Sequence, residues 1–196
     1  MTYVTIETAT RTPGRPRNEE TEVRVLASAR ALVVARGFPA VTMNMIASDA
    51  GVAKQTLYRR WPGKAEIILD AFLACAGHAD SPAYDGLETT LYRFLSGIFT
   101  HLAQDGAAIR SLIASAQSDP EFLANLRNRF ARPRGDALMH ILSQAVTQRD
   151  LPEHADIHLL CDMIHGAFWY RLLLGEPLDD AFALRLSRAP RLTTPG

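Results

Sequence analysis

Between Lys54 and Arg59 the chain strings together side chains that hydrogen-bond nucleic acid in complementary ways: Lys54, Gln55, Thr56, Tyr58 and Arg59. Lysine and arginine meet phosphate oxygens or the acceptor edge of guanine. Glutamine can make a two-point contact with adenine, and threonine or tyrosine can donate to a phosphate or touch a thymine methyl. Such a set reads a duplex only when a short, rigid helix presents its N-terminal end to base edges in the major groove. The flanking residues must supply that helix and hold it.

They carry the signals to do so. Thr42 can cap a helix that begins at Met43 and runs through Ala50, with Ile46 and Ala50 turned inward and Ala47 small enough for a neighbouring helix to approach. Gly51 ends it, because the left-handed backbone that stops a helix is free of a Cβ penalty only for glycine. Val52 and Leu57 then anchor a second short helix, so the pair forms a helix-turn-helix. Upstream, Glu19 to Arg36 lacks proline and glycine, and Val25, Leu26, Ala29, Leu32 and Val33 recur at helical spacing. Downstream, Trp61-Pro62-Gly63 breaks the chain, and Lys64 opens a helix through about Ala79 with an apolar stripe of Ile67, Ile68, Ala71, Phe72 and Cys75.

A plain helical corner with a solvated outer face has the same local pattern, so the charge distribution matters. The whole chain balances 21 Lys and Arg against 21 Asp and Glu. Residues 1–64 hold ten basic against five acidic side chains, a surplus of five positive, and residues 65–196 hold eleven against sixteen, a surplus of five negative. A basic N-terminal third on an acidic remainder suits a DNA reader joined to a domain that does not touch DNA. Residues 1–18 form a threonine-rich leader without a helical repeat and read as a flexible basic arm. Within it Gly14-Arg15-Pro16-Arg17 is extended, and Arg15 and Arg17 suit either a narrow minor groove or nonspecific phosphate contact.

The run AVTMNMIASDAGVAKQTLYRRWPGKAEIILDAF, preceded by a helix ending Ala35-Arg36-Gly37-Phe38, resembles the DNA-binding domain of the TetR family of bacterial transcriptional repressors, without a gap over roughly residues 22–72. The resemblance implies phosphate contacts at Thr42 and Lys64, base-proximal positions at Lys54, Gln55 and Thr56, and backbone clamps at Tyr58 and Arg59. Ala53 departs from the pattern: many members carry serine or threonine there, so a capping hydroxyl is absent and the phasing of the third helix stays open. Further on, DPEFLANLRNRFARPRGDALMHIL and AFWYRLLLGEPLDDAF resemble the C-terminal half of one TetR subgroup. By resemblance, that half encloses a small-molecule pocket and dimerises through its late helices.

The residues support an all-α reading of both domains: residues 19–63 as a three-helix helix-turn-helix domain, and 64–196 as a helical ligand-binding and dimerisation domain, with 64–79 the connecting helix. Punctuation divides the remainder of the larger domain into Gly86–Gln104, Ala107–Gln117, a helix from Asp119-Pro120-Glu121 to about Arg149 that Pro133 can bend, Ala155–Leu174, and Leu178 to about Arg188. On the fourth of these, Leu159, Met163, Gly166, Ala167, Tyr170 and Leu174 share an apolar face suited to a homodimer, and a two-fold dimer is what a compact reader needs on a palindromic operator. Effector-pocket candidates are Phe94, Ile98, His101, Ile113, Gln117, Phe122, Phe130, His165 and Trp169, apolar and aromatic groups with a few polar ones to orient an effector of unknown identity. A competing reading places a transition metal or redox sensor on His158, Cys161, Asp162 and His165, which fall on one helix face.

No glycine-rich phosphate loop, G-x-S-x-G elbow or HExxH stands in the chain, so no enzyme, cofactor or resident metal is expected. Cys75 and Cys161 have no paired spacing, and no apolar run suits a signal peptide or membrane span, so a cytoplasmic protein is expected.

Overall fold

The computed structural model describes residues 16–75 and 82–193, and every regular element among them is helical. In chain order these are α1 (Pro16–Arg36), α2 (Met43–Asp49), α3 (Lys54–Tyr58), α4 (Lys64–Cys75), α5 (Leu87–Ala116), α6 (Pro120–Leu126), a π-helical turn (Arg127–Ala131), α7 (Arg132–Thr147), α8 (Ile157–Leu174) and α9 (Asp180–Thr193). The all-α expectation holds. Residues 1–15, with Arg15, lie outside the described residues. Arg17 belongs to α1, which opens at Pro16 rather than Glu19 because a proline in the first turn gives up an N–H that has no partner there.

The first four helices share one core. Val25, Ala29 and Val33, each four residues apart, form the buried row of α1 and join Ile46, Leu57, Trp61, Ile67 and Phe72. Thr42 caps α2 as expected: its Oγ1 accepts from the Met45 N–H at 3.3 Å. Gly51 turns the chain at φ +64°, and Val52 N–H closes the turn on the Ala47 carbonyl at 3.0 Å. Ala53 precedes α3 without any side-chain cap, and α3 is only five residues long. Its place therefore depends on Leu57, fully buried beneath it, rather than on its own termini.

Beyond α4 the expected helix boundaries shift. Gly86–Gln104 and Ala107–Gln117 are a single helix, the 30-residue α5. Gln104-Asp105-Gly106 has the composition of a turn, yet both reasons for its residues are tertiary. Asp105 is buried and takes a two-point ion pair from Arg30 of α1, at 3.1 Å from Nε and 2.7 Å from Nη2. Gly106 leaves room for Leu172 of α8, whose Cδ1 would lie 3.4 Å from an added Cβ.

The long helix expected after Asp119 is also divided. Asp119 does cap it, accepting from Phe122 N–H at 3.0 Å, but α6 gives way to the π turn before α7 begins. Pro133 has no N–H to offer the carbonyl one turn earlier, and the Arg134 side chain bonds the neighbouring Phe130 carbonyl at 2.7 Å. α8 starts at Ile157 and α9 extends past Arg188 to Thr193. Phe99 of α5 stacks on Phe182 of α9 at 5.6 Å and meets Phe168 of α8 edge-on at 6.1 Å, which joins the three helices.

The two halves are riveted at several points besides Arg30–Asp105. Phe38 donates its N–H to Ser111 Oγ at 3.0 Å and stacks on Phe122 at 5.1 Å. Asp70 of α4 accepts at both oxygens: Arg129 Nη2 of the π turn at 2.6 Å, and Trp61 Nε1, just after α3, at 2.7 Å.

Candidate functional site

The outward side of α3 carries Lys54, Gln55, Tyr58 and Arg59, all exposed. Lys54 Nζ lies 5.8 Å above the Tyr58 ring, so the two side chains support one another. Neither Lys54 nor Arg59 has an ion-pair partner among the described residues. The nearby acids are committed elsewhere: Glu22 to Arg60, Asp49 to Ser28 Oγ at 2.7 Å, and Asp70 to Trp61 and Arg129. Positive charge is thus left unpaired on this face. Beside it, Thr42, Asn44, Lys54, Tyr58 and Lys64 help to line an open hollow of about 300 Å³ without a carboxylate. Asn44 escaped the sequence reading, since one exposed asparagine in a first helical turn carries no signal of its own.

Two expected contacts are placed differently. Lys64 gives its ammonium to the carbonyls of Phe38, Pro39 and Val41, at 3.0, 3.2 and 3.1 Å, and sits 4.6 Å over the Phe38 ring. All three donors are used within the protein, and burial pulls its pKa below the ordinary lysine value. Its task here is to staple the 38–41 loop, leaving no donor for a phosphate. Thr56 is half-buried and lines a crevice with Thr21, Glu22 and Val25 of α1, which Arg59 also borders.

The proposed dimer face on α8 is bare. Leu159, Met163, Tyr170 and Leu174 are between 46% and 62% exposed, Gly166 is exposed, and Ala167 is half-buried. Large apolar side chains thus stand open to water along one face of this helix.

The expected effector residues fall into three kinds of environment. Phe94, Phe122 and Phe130 are core, Ile98 and Ile113 pack half-buried against it, and His101 and Gln117 lie on the surface bonded to carbonyls of their own helix, Gly97 at 2.7 Å and Ile113 at 3.2 Å. His165 and Trp169 line an open groove, of about 390 Å³, between α8 and the π turn with α7. Arg127, Arg132 and Arg134 form one wall with Met139; Cys161, His165, Phe168 and Trp169 form the other; His158, Asp136 and Asp162 complete it. The Arg-rich segment around Pro133 was legible only as a bend, because its convergence on α8 depends on the π turn.

The metal reading of this helix face finds no support among the described residues, and burial of the thiol disfavours the redox one. His165 Nδ1 faces the Cys161 carbonyl at 3.1 Å; a carbonyl only accepts, so that nitrogen carries the proton. Burial lowers the His165 pKa, so the ring is neutral, and burial first, then Asp162 and Asp136, pushes the Cys161 thiol up to about 11. Among the described residues no three His, Cys, Asp or Glu side chains are gathered to hold a metal. None of the described helices is long and apolar enough to cross a membrane.

Residues 25–71 match the family described as bacterial regulatory proteins, tetR family, and residues 82–189 match the tetracyclin repressor-like C-terminal domain. The chain is similar to the uncharacterized HTH-type transcriptional regulator YdeS of Bacillus subtilis, 34% identical over 178 residues that span 86% of this chain and 87% of that one. It is 31% identical over 174 residues to the DNA-binding transcriptional repressor TetR of Mycobacteroides abscessus, spanning 87% and 91%. Among solved structures, the TetR family transcription regulator SCO0332 superposes with a TM-score of 0.70 at 28% identity, over 90% of this chain and 100% of that one.

Proposed function

This chain belongs to the TetR family of DNA-binding transcriptional regulators, and we propose that it is a repressor that grips a palindromic operator as a homodimer and lets go when a small effector binds. The observation that carries the DNA-reading role is the exposed set Lys54, Gln55, Tyr58 and Arg59 on α3, with its cations unpaired and the surrounding acids turned onto internal partners. Lys54 and Gln55, at the start of α3, face base edges; Tyr58, Arg59 and the Thr42 hydroxyl hold phosphates. Work on an operator places the protein in the cytoplasm.

One five-residue helix makes too few base contacts to be selective, so two copies must act together. The bare face of α8 is the surface that brings them together, and its central Gly166 lets two such helices approach closely. The effector enters the groove between α8 and α7. Its signal leaves through the π turn: Arg129 holds Asp70 of α4, and the same carboxylate holds Trp61 behind the reader. A shift of the π turn therefore moves the carboxylate that positions α3, and operator affinity follows as a population shift between two spacings of the reading heads.

Selection from a pool of random duplexes tests the core of this reading. The enriched sequences should be two-fold palindromes with half-sites about one helical turn apart, roughly 10 base pairs or a multiple. Enrichment of sequences without two-fold symmetry sinks the dimeric reader.

A further inference from the structure

Arg134 is the least comfortable charge in the described residues. It is 8% exposed, its Nη1 bonds the Phe130 carbonyl at 2.7 Å, and its guanidinium lies 4.1 Å over the Phe130 ring. No carboxylate lies within ion-pair reach of it among the described residues, although burial works against its charge. A guanidinium has five N–H donors. The one buried side-chain polar atom without a partner in the described residues is Gln144 Oε1, so the other Arg134 nitrogens are not sealed from solvent, and Arg134 lines the groove. Arg127 and Arg132 stand exposed on the same wall, also without ion-pair partners among the described residues.

Three arginines against Asp136 and Asp162 leave a surplus of one positive charge among the arginines and carboxylates of the lining, and the histidines His158 and His165 can only add to it. Opposite them, Trp169, Phe168 and Met139 offer an apolar and aromatic wall. A planar guanidinium fork matches a carboxylate in two-point geometry better than any neutral group. The volume, about 390 Å³, suits the body of a compact molecule.

From this we infer that the groove takes a compact organic monoanion, a carboxylate with an aromatic or short aliphatic body, which pairs with Arg134 and lays its apolar end against Trp169. The inference rests on the reading of this groove as the effector site and names the class of effector.

Three carboxylates serve as probes: benzoate, naphthalene-2-carboxylate and octanoate, each paired with its primary amide. Binding to the full-length protein is read by titration calorimetry, and operator release separately by fluorescence anisotropy. At least one carboxylate should bind about 10-fold or more tightly than its amide, the difference a charge-assisted pair supplies. Arg134→Met should erase that preference. Because Arg134 also braces the π turn, the exposed double variant Arg127→Gln/Arg132→Gln provides a second measure, and should weaken the carboxylate several-fold with an unchanged circular dichroism spectrum.

If no carboxylate outbinds its amide, or if neither variant alters the preference, the monoanion class is overturned. Carboxylate-selective binding that leaves operator affinity unmoved upholds the anion site and overturns instead the role of this groove as the regulatory one.

Discussion

Lys54 and Lys64 are the same residue type ten positions apart, and their surroundings give them opposite work. Lys54 is exposed with its ammonium unpaired, whereas Lys64 has spent all three donors on the 38–41 carbonyls. Lys54→Ala should therefore reduce the slope of log affinity against log salt by about one, and Tyr58→Ala should lower operator affinity about 10-fold or more. In both, Tm should stay within roughly 2 °C of the parent, because exposed side chains are removed. Lys64→Met should do the reverse, costing about 2 kcal/mol of stability in urea denaturation while the salt slope stays put. If Lys64→Met flattens the slope at unchanged stability, Lys64 is a phosphate contact after all. Cys161 supplies a separate check: with its thiol pushed up to about 11, iodoacetamide at neutral pH should modify it roughly 100-fold more slowly than an ordinary exposed thiol. Peptide mass mapping reads the rate, and rapid labelling would reopen the redox reading.

Among the elements, α5 and the π turn decide how the halves communicate. α5 runs 30 residues, about 45 Å at the helical rise, and passes from the reading head to the far end of α9. It holds the head through Asp105, which is buried, while its partner Arg30 keeps some of its surface in water. Removing the acid strands a half-buried guanidinium. Asp105→Ala should cost about 2 kcal/mol, less than a fully buried pair because Arg30 can rehydrate. Equilibrium urea unfolding measures it, and a loss indistinguishable from zero would mean that packing of Phe38 on Phe122, not the ion pair, fastens the halves. The element boundaries show where local signals mislead. Asp-Gly reads as a turn, yet here both residues serve contacts with distant helices. Pro133 reads as a bend, and the chain answers with a widened turn upstream of it instead.

For the whole molecule, assembly is the quantity to test. No atom outside the Gly166 segment lies within 4 Å of where its Cβ would stand, so the folded chain has room for a larger side chain there. Replacing glycine inside a helix also favours the helix itself. Gly166→Leu should leave the monomer's Tm unharmed or raised but weaken self-association about 10-fold or more, seen as a slower species in sedimentation velocity at micromolar concentration. An unaltered profile would remove this face of α8 from the interface.

The amino-acid order alone determined the helical class, the helix-turn-helix from Thr42 to Arg59 and the apolar face of α8. Each of these is written in short-range terms: a cap, a glycine turn, a repeat of three and four residues. Tertiary structure decided the rest. It chose which lysine stays free, kept α5 whole through Asp105 and Gly106, and turned Arg134 toward a groove without an ion-pair partner among the described residues. Those outcomes depend on partners 23 to 75 residues away along the chain, such as Val41 for Lys64 and Arg30 for Asp105, and no local pattern records such a partner.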